Sequence, residues 1–408
     1  MHCGLLGRKL GHSYSPQIHS HLSDYSYTLY EKEPEELEHF LLNGTFTGLN
    51  VTIPYKKDVI PYCAELSDCA KKLGAVNTIV RHPDGRLIGH NTDYFGFLSM
   101  VKRSGLNVDG KKILVLGSGG ASVTAVAVIE ELGAEVIVVS RSGADNYTNL
   151  DRHADATVIV NATPVGMYPD TGTSPVILDM FPKLEGVLDL IYNPARTALL
   201  QHAEKRGLVA ENGLWMLVAQ AKESTEWFTG RAISNDVIPM IHKQLRLQME
   251  NLVLIGMPGS GKSTIGMLLA DRLGKTFVDA DAEIVKAAGI SIPDIFATSG
   301  EEGFRKLETA ILTRLGKRSG LVIDTGGGCI TKEENYPLLH QNGTIIWLQR
   351  DLDKLPTSGR PLSQAGNLGP MYTVRSPLYA AFSDVIVDNN TAANETTNRI
   401  ISLLNTEV

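Results

Sequence analysis

The chain has 408 residues, 43% of them hydrophobic and 20% charged, with a formal net charge of −7. That length exceeds one ordinary core, so two or three domains of a soluble globular protein are expected. Residues 1–250 carry 23 basic and 28 acidic side chains and the remainder 15 and 17; neither part is basic, which argues against nucleic acid or an anionic membrane as partner.

Four cysteines (Cys3, Cys63, Cys69 and Cys329) show no CxxC spacing and no histidine at metal-ligand spacing. They predict reduced structural thiols. The amino terminus lacks the apolar core of a signal peptide, and no apolar stretch approaches the ~20 residues of a membrane span. A cytoplasmic protein is expected.

In chain order, short apolar runs at 3–6, 47–52 and 76–81 are separated by turns and predict an α/β layer over residues 1–93. An apolar run at 112–116 leads into the turn Gly117-Ser118-Gly119-Gly120-Ala121-Ser122, a helix through Glu131 and a strand at 135–139. This is the β–loop–α–β opening of a dinucleotide-binding fold, with Ser122 where the third glycine of GxGxxG would stand. Residues 117–121 form the expected pyrophosphate cradle at a helix N-terminus. After the second strand comes Ser140-Arg141-Ser142 and no acid. An acid there would hold the ribose of NAD, whereas Arg141 suits the 2′-phosphate of NADP. Further buried strands are predicted at 157–160, 187–190 and 208–210, and 212–249 is helical in pattern. A second domain begins near residue 250 with no Pro/Gly/Ser linker.

There the apolar run 252–255 feeds Gly256-Met257-Pro258-Gly259-Ser260-Gly261-Lys262-Ser263, a complete G-x-x-x-x-G-K-[ST] pattern. Its glycines turn backbone N–H groups around a polyphosphate; Gly259, Ser260, Gly261, Lys262, Ser263 and Thr264 are the expected nucleotide contacts. Lys262 supplies charge between the β- and γ-phosphates and the Ser263 hydroxyl goes to Mg²⁺. Downstream, Asp279 and Asp281 leave a strand at i, i+2 and are expected to point the same way.

Reducing a ketone with a nicotinamide requires a cofactor cradle, groups that grip the substrate and a proton donor for the developing alkoxide. The first part supplies ordered blocks of this kind: His12-Ser13-Tyr14-Ser15-Pro16, Asn50-Val51-Thr52-Ile53-Pro54-Tyr55-Lys56, Gly74-Ala75-Val76-Asn77-Thr78 and Gly89-His90-Asn91-Thr92-Asp93. Asn161 through Met167, Asp189 through Pro194 and Gly213 through Gln220 follow. In this order they resemble the shikimate dehydrogenases over residues 1 to about 248. The resemblance implies that Lys56 and Asp93 are the catalytic pair. It implies that Ser13 and Ser15 bind the substrate carboxylate, that Thr52, Asn77 and Gln220 bind ring hydroxyls, and that Tyr192 is a further substrate contact. Taken alone, Asp93 also reads as a helix N-cap. Two departures concern the cofactor: Val123 stands where the family usually has Arg, and Ser140-Arg141-Ser142 replaces Asn-Arg-Thr.

The second part adds Gly300 through Glu308, Thr325-Gly326-Gly327-Gly328, Gly359-Arg360-Pro361-Leu362 and Arg375-Ser376-Pro377-Leu378-Tyr379. With the phosphate loop these resemble the shikimate kinases over residues 251 to about 388. The resemblance implies that Asp281, Arg305, Arg375 and Gly326, Gly327 and Gly328 hold shikimate, with Asp281 also orienting the nucleophile. It further implies that Asp279 reaches Mg²⁺ through water and that Arg360 is the lid arginine. Glu308 is expected to partner Arg305. The lid is compact and lacks an additional basic residue often found before Arg-Pro-Leu. Asp324 replaces a small residue before the triple glycine, where its carboxylate is expected to join the Mg²⁺ shell.

The expected fold is therefore α/β: a two-lobed dehydrogenase with a Rossmann-like NADP domain, followed by a P-loop kinase α/β/α domain. Expected boundaries are 1–93 for the substrate lobe, completed by helices at about 213–248, then 94–212 for the NADP domain and 250–408 for the kinase. The expected function is NADPH-dependent reduction of 3-dehydroshikimate to shikimate, then phosphorylation of shikimate by ATP and Mg²⁺. Partners are small-molecule substrates. A quinate-type dehydrogenase or a non-turning shikimate sensor in the first part are the alternatives.

Overall fold

Short runs of almost continuously buried residues form most strands of the three sheets of the protein. The computed structural model describes residues 1–11, 13–355 and 368–406; His12 and Arg360, both in motifs quoted above, lie outside them. The first sheet contains β1 (His2–Gly7), β2 (Ser26–Glu31), β3 (Gly48–Val51), β4 (Glu65–Leu66), β5 (Thr78–Arg81) and β6 (Leu87–His90). Their order is β2-β1-β3-β5-β6-β4, and β5 runs antiparallel to both of its neighbours, β3 and β6. Leu6, Leu41, Phe46, Leu49 and Ile79 fill its core.

The second sheet is wholly parallel: β7 (Lys112–Leu116), β8 (Glu135–Val139), β9 (Val158–Asn161), β10 (Gly186–Asp189) and β11 (Val209–Asn212), in the order β11-β10-β9-β7-β8. Both its faces are covered, as an all-parallel sheet requires. Ile113 and Val115 of β7 enter one core, Leu114 and Leu116 the other. The strand order reverses beside β7, where ligands of such sheets bind. The predicted strands are all present, β9, β10 and β11 within one or two residues of expectation. The helical span predicted at 212–249 is instead two helices, Leu214–Thr229 and Val237–Met249. Gly230 ends the first in a left-handed conformation at φ 66°, a conformation that glycine adopts without strain.

The third sheet is also parallel: β12 (Asn251–Ile255), β13 (Thr276–Asp279), β14 (Leu321–Asp324), β15 (Gly343–Gln349) and β16 (Val385–Asp388), in the order β13-β14-β12-β15-β16. Val253 and Ile255 face one core, Leu252 and Leu254 the other. Two compact units result. One comprises Met1–Gly166, Thr173–Tyr192 and Leu199–His242; the other comprises Met167–Gly172, Asn193–Ala198 and the residues from Lys243 onward. Among the described residues no helix is long and apolar enough to cross a membrane.

Candidate active sites

In the first unit, the helix Asp93–Ser104 packs against the helix Leu214–Thr229. Gly96 permits that approach: a Cβ there would lie 2.8 Å from the Met216 carbonyl oxygen and 3.0 Å from Gln220 Cβ. The crossing brings Asp93, on the first turn of one helix, to the same cleft as Gln220 on the other. Lys56 Nζ donates to Asp93 Oδ2 at 2.5 Å, and both side chains are largely covered. Asp93 is thus the first residue of its helix, and its carboxylate faces the lysine; Thr92 occupies the cap position without a side-chain capping bond.

Around this pair the polar residues form one network. Asn77 Oδ1 accepts from the Thr92 N–H at 2.7 Å, and Asn77 Nδ2 donates to Thr92 Oγ1 at 3.1 Å. Thr92 Oγ1 donates in turn to Gln220 Oε1 at 3.5 Å. The Ser15 N–H donates to Ser13 Oγ at 3.2 Å, and Tyr14 meets Tyr192 edge to face. Burial raises the Tyr192 phenol above its ordinary value. Thr52 follows β3, its N–H bonded to the Leu6 carbonyl near the end of β1.

A polar layer beneath the cleft was not anticipated from sequence. Tyr27 OH donates to Asn50 Oδ1 at 2.7 Å, and Asn50 Nδ2 donates to Thr78 Oγ1 at 3.3 Å. His19 stacks on Tyr27 and shares its Nδ1 with Tyr25 and Thr225. Burial pulls the His19 imidazole down to about 3. Asn50 stood in a quoted motif, but contacts that join residues 19, 27, 50, 78 and 225 leave no periodic trace.

The glycine turn after β7 fits a dinucleotide. Gly117 has φ 105°, which a side chain would strain. Gly119 and Gly120 differ: a Cβ on either would meet nothing within 4 Å. With Ser118 they are exposed and leave open room above the N-terminus of the helix Gly120–Glu131, where a pyrophosphate binds. Ala121 is half-buried beside them. Ser122 is buried, and its hydroxyl donates to the Gly117 carbonyl at 2.7 Å; the hydroxyl closes the turn from inside. Arg141 is exposed just beyond β8, and the nearby acid Asp145 is paired with His153 at 2.7 Å.

In the second unit the phosphate loop joins β12 to the helix Lys262–Leu273. Gly256, Gly259 and Gly261 have φ of 147°, 86° and 94°, the backbone that turns N–H groups inward. Lys262 is buried and its Nζ donates to the Gly256 carbonyl at 3.2 Å. Ser263 Oγ donates to Asp324 Oδ2 at 2.6 Å, and Asp324 is in register with Asp279 across β14 and β13. Burial raises the Asp324 carboxyl, with Lys262 and Ser263 pulling it back. Two carboxylates and a hydroxyl next to a polyphosphate cradle suit Mg²⁺, which takes one or two carboxylates and completes its shell with phosphate oxygens and water.

Asp279 and Asp281 do not extend one strand. β13 stops at Asp279, whose Oδ1 caps the next helix by accepting from the Asp281 and Ala282 N–H groups. Asp281 already belongs to that helix, so strand alternation does not set its direction. The triple glycine explains itself by contact. A Cβ on Gly326 would lie 2.8 Å from Asp281 Oδ1, and one on Gly327 would lie 2.9 Å from Pro258 of the phosphate loop. A Cβ on Gly328 would fall on the Arg305 guanidinium. Arg305 pairs with buried Glu308 at 2.7 Å and with Glu301 at 3.2 Å. Burial pushes the Glu308 carboxyl up, against the pull of Arg305. Arg375 Nη1 donates to the Gly327 carbonyl at 3.1 Å, and Tyr379 OH donates to the same oxygen. Tyr379 was visible in its motif without a role.

The first cleft is that of a nicotinamide-dependent oxidoreductase and the second that of a small-molecule P-loop kinase. A family model described as "Shikimate dehydrogenase substrate binding domain" matches residues 5–79, and one described as "Shikimate kinase" matches residues 258–405. The shikimate dehydrogenase (NADP(+)) of Clostridium perfringens (strain 13 / Type A) is 34% identical over 266 residues, 60% of this chain and 97% of that protein. The solved shikimate dehydrogenase 1 from Peptoclostridium difficile is 38% identical with a TM-score of 0.56, covering 60% of this chain and 98% of its own. The shikimate 5-dehydrogenase from Thermus thermophilus, in complex with NADP(H) and shikimate, is 31% identical with a TM-score of 0.55, covering 60% and 99%. The chain belongs to the shikimate dehydrogenase family and carries a shikimate kinase domain after that region. It is a bifunctional enzyme of the shikimate pathway that uses NADP and ATP with Mg²⁺.

Proposed function

We propose that the protein works in the biosynthetic direction, reducing 3-dehydroshikimate with NADPH and phosphorylating the 3-hydroxyl of the shikimate that results. The Lys56–Asp93 contact of 2.5 Å carries the first half. The carbonyl carbon accepts hydride, which bound NADPH supplies, and negative charge grows on the oxygen. Lys56, held by Asp93, delivers a proton there. Ser13 and Ser15 bind the carboxylate, and Thr52, Asn77, Gln220 and Tyr192 orient the ring. Gly117 through Ala121 hold the pyrophosphate and Arg141 the 2′-phosphate.

In the second half, Arg305 and Arg375 clamp the carboxylate of shikimate through planar forks, and Asp281 orients the attacking hydroxyl against the floor of Gly326, Gly327 and Gly328. Gly259 through Thr264 cradle the nucleotide, with Lys262 on its phosphates. Ser263, Asp279 and Asp324 would hold Mg²⁺, which supplies charge neutralisation across the phosphates. Arg360 is the lid arginine. The domain boundaries are read as 1–93 with 213–248, 94–212 and 250–408, and the compartment as the cytoplasm, where Cys3 and Cys329 remain buried thiols.

Incubating the purified protein with 3-dehydroshikimate, NADPH, ATP and Mg²⁺ tests the order. Transient shikimate followed by a phosphorylated product is expected. NADPH consumption without phosphorylation would remove the second half of the reading.

A further inference from the structure

The kinase unit holds a guanidinium that neither the phosphate-loop motif nor the shikimate clamp explains. β15 ends at Gln349, in register with Asp388 at the end of β16; Arg350 and Asn389 follow them. Ligands of open parallel sheets collect at these carboxyl ends. Asn389 is tied down on two sides. Its N–H donates to the Gln349 carbonyl at 2.7 Å, and its Nδ2 donates to the Ser260 carbonyl at 2.6 Å. The C=O and N–H of a trans peptide point in opposite directions, so this bond turns the Gly261 N–H away from Asn389. A Cβ on Gly261 would lie 2.8 Å from Asn389 Nδ2 and 3.6 Å from Arg350 Nη1. Arg350 therefore reaches the phosphate loop itself.

It lines a cavity of about 580 Å³ together with Gly259, Gly261, Lys262, Ser263 and Thr264. Two further charged residues border the cavity. Lys354 is engaged with Asp351 at 3.1 Å, and Asp353 makes no ion pair with Arg350. Among the described residues Arg350 has no ion-pair partner, and its buried Nε has no hydrogen-bond partner. Arg350 is half-buried, with its Nε covered, and a partly covered guanidinium that faces a cavity without a counter-ion gains from an arriving anion. The loop beside it is built to bring one.

We propose that Arg350 is a second phosphate ligand of the kinase nucleotide. It acts with Lys262 from a fixed strand end, in place of the basic residue that the compact lid lacks. The proposal rests on the kinase reading and deepens it: the cradle grips ADP and ATP through two cations, only one of which belongs to the loop motif.

Calorimetric titration of the full-length protein with MgADP and, separately, adenosine tests it in Arg350→Gln, Arg350→Lys and Lys262→Ala. Arg350→Gln should weaken MgADP about 10–100-fold, the worth of a charge-assisted hydrogen bond. Arg350→Lys should recover part of that loss. Adenosine should bind Arg350→Gln as it binds the wild type, and shikimate oxidation by NADP⁺ should be unchanged, which shows that the chain is folded. If Lys262→Ala loses MgADP while Arg350→Gln keeps it, the Arg350 assignment fails alone. If adenosine weakens as much as MgADP, Arg350 contacts the base and the phosphate assignment is overturned. A wild type that takes up no MgADP overturns the kinase reading and the proposal together.

Discussion

In the dehydrogenase cleft the key lysine is paired with a carboxylate, Lys56 with Asp93, and its neighbours Asn77, Thr92 and Gln220 bond to one another. In the kinase cradle Lys262 rests on carbonyl oxygens and Arg350 faces no carboxylate at ion-pair distance among the described residues. The chemistry accounts for the contrast. Moving one proton calls for an acid held at a fixed atom by a partner that stays in place. Moving a phosphoryl group calls for positive charge that a polyanion can neutralise. In the kinase unit, Arg305 with Glu308, the proposed carboxylate clamp, resembles the dehydrogenase pair in being pre-paired.

Removing each lysine in turn tests that contrast most severely. Lys56→Ala should lower dehydrogenase turnover about 10²–10⁴-fold, the worth of a positioned acid, and leave kinase activity intact. Lys262→Ala should do the reverse. Separate spectrophotometric assays check both, and joint loss of the two activities in either variant would contradict independent chemistry. Next in size is the pre-paired clamp. Glu308→Gln leaves Arg305 buried without its inner counter-charge. It should destabilise the kinase unit by about 3–5 kcal/mol, read by urea denaturation, and raise the kinase KM for shikimate; unchanged stability would show that Glu301 alone suffices. Asp324→Ser should weaken Mg²⁺ binding to the ADP complex about tenfold, read by Mg²⁺ titration at fixed ADP. An unchanged titration would remove Asp324 from the metal shell.

A last test concerns acid. Burial holds the His19 and His90 imidazoles down at about 3 and about 4, against about 6.5 in an unfolded chain. As pH falls from 6.5 towards 4, the unfolded chain binds protons that the folded unit refuses, so stability present above 6.5 is lost. The slope approaches about 1.4 kcal/mol per pH unit for each histidine. Urea midpoints between pH 7 and pH 5 should fall less steeply in the His19→Asn/His90→Asn protein than in the wild type; equal slopes would place the acid sensitivity elsewhere.

Much of this was legible in the chain. β7, β8 and β12 are short strands in parallel sheets, so each reads as unbroken apolar sequence, and the glycine turns that follow β7 and β12 carry their chemistry in fixed spacing. Lys56 and Asp93 could be paired only through the resemblance, because 37 residues separate them. Some features had no sequence signal at all. Arg350 sits in no motif, and Asn389 reaches Ser260 from 129 residues away. The break at Gly230 had a signal, a glycine stop followed by Ser234-Asn235-Asp236 before the next helix, which the apolar pattern of the flanking helices outweighed. The reason expected for Asp281 fails locally: strand alternation ends where a side chain caps the next helix, and Asp279 does so.

The three consecutive glycines before Cys329 have a consequence for how this enzyme can change. Each backbone position abuts a different side chain: Asp281, Pro258 of the phosphate loop, and the Arg305 guanidinium. A methyl group on any of the three would come within 3.0 Å of one of these neighbours, so each substitution forces a different side chain to move. A library aimed at new acceptors should therefore randomise the surrounding side chains and leave the run untouched.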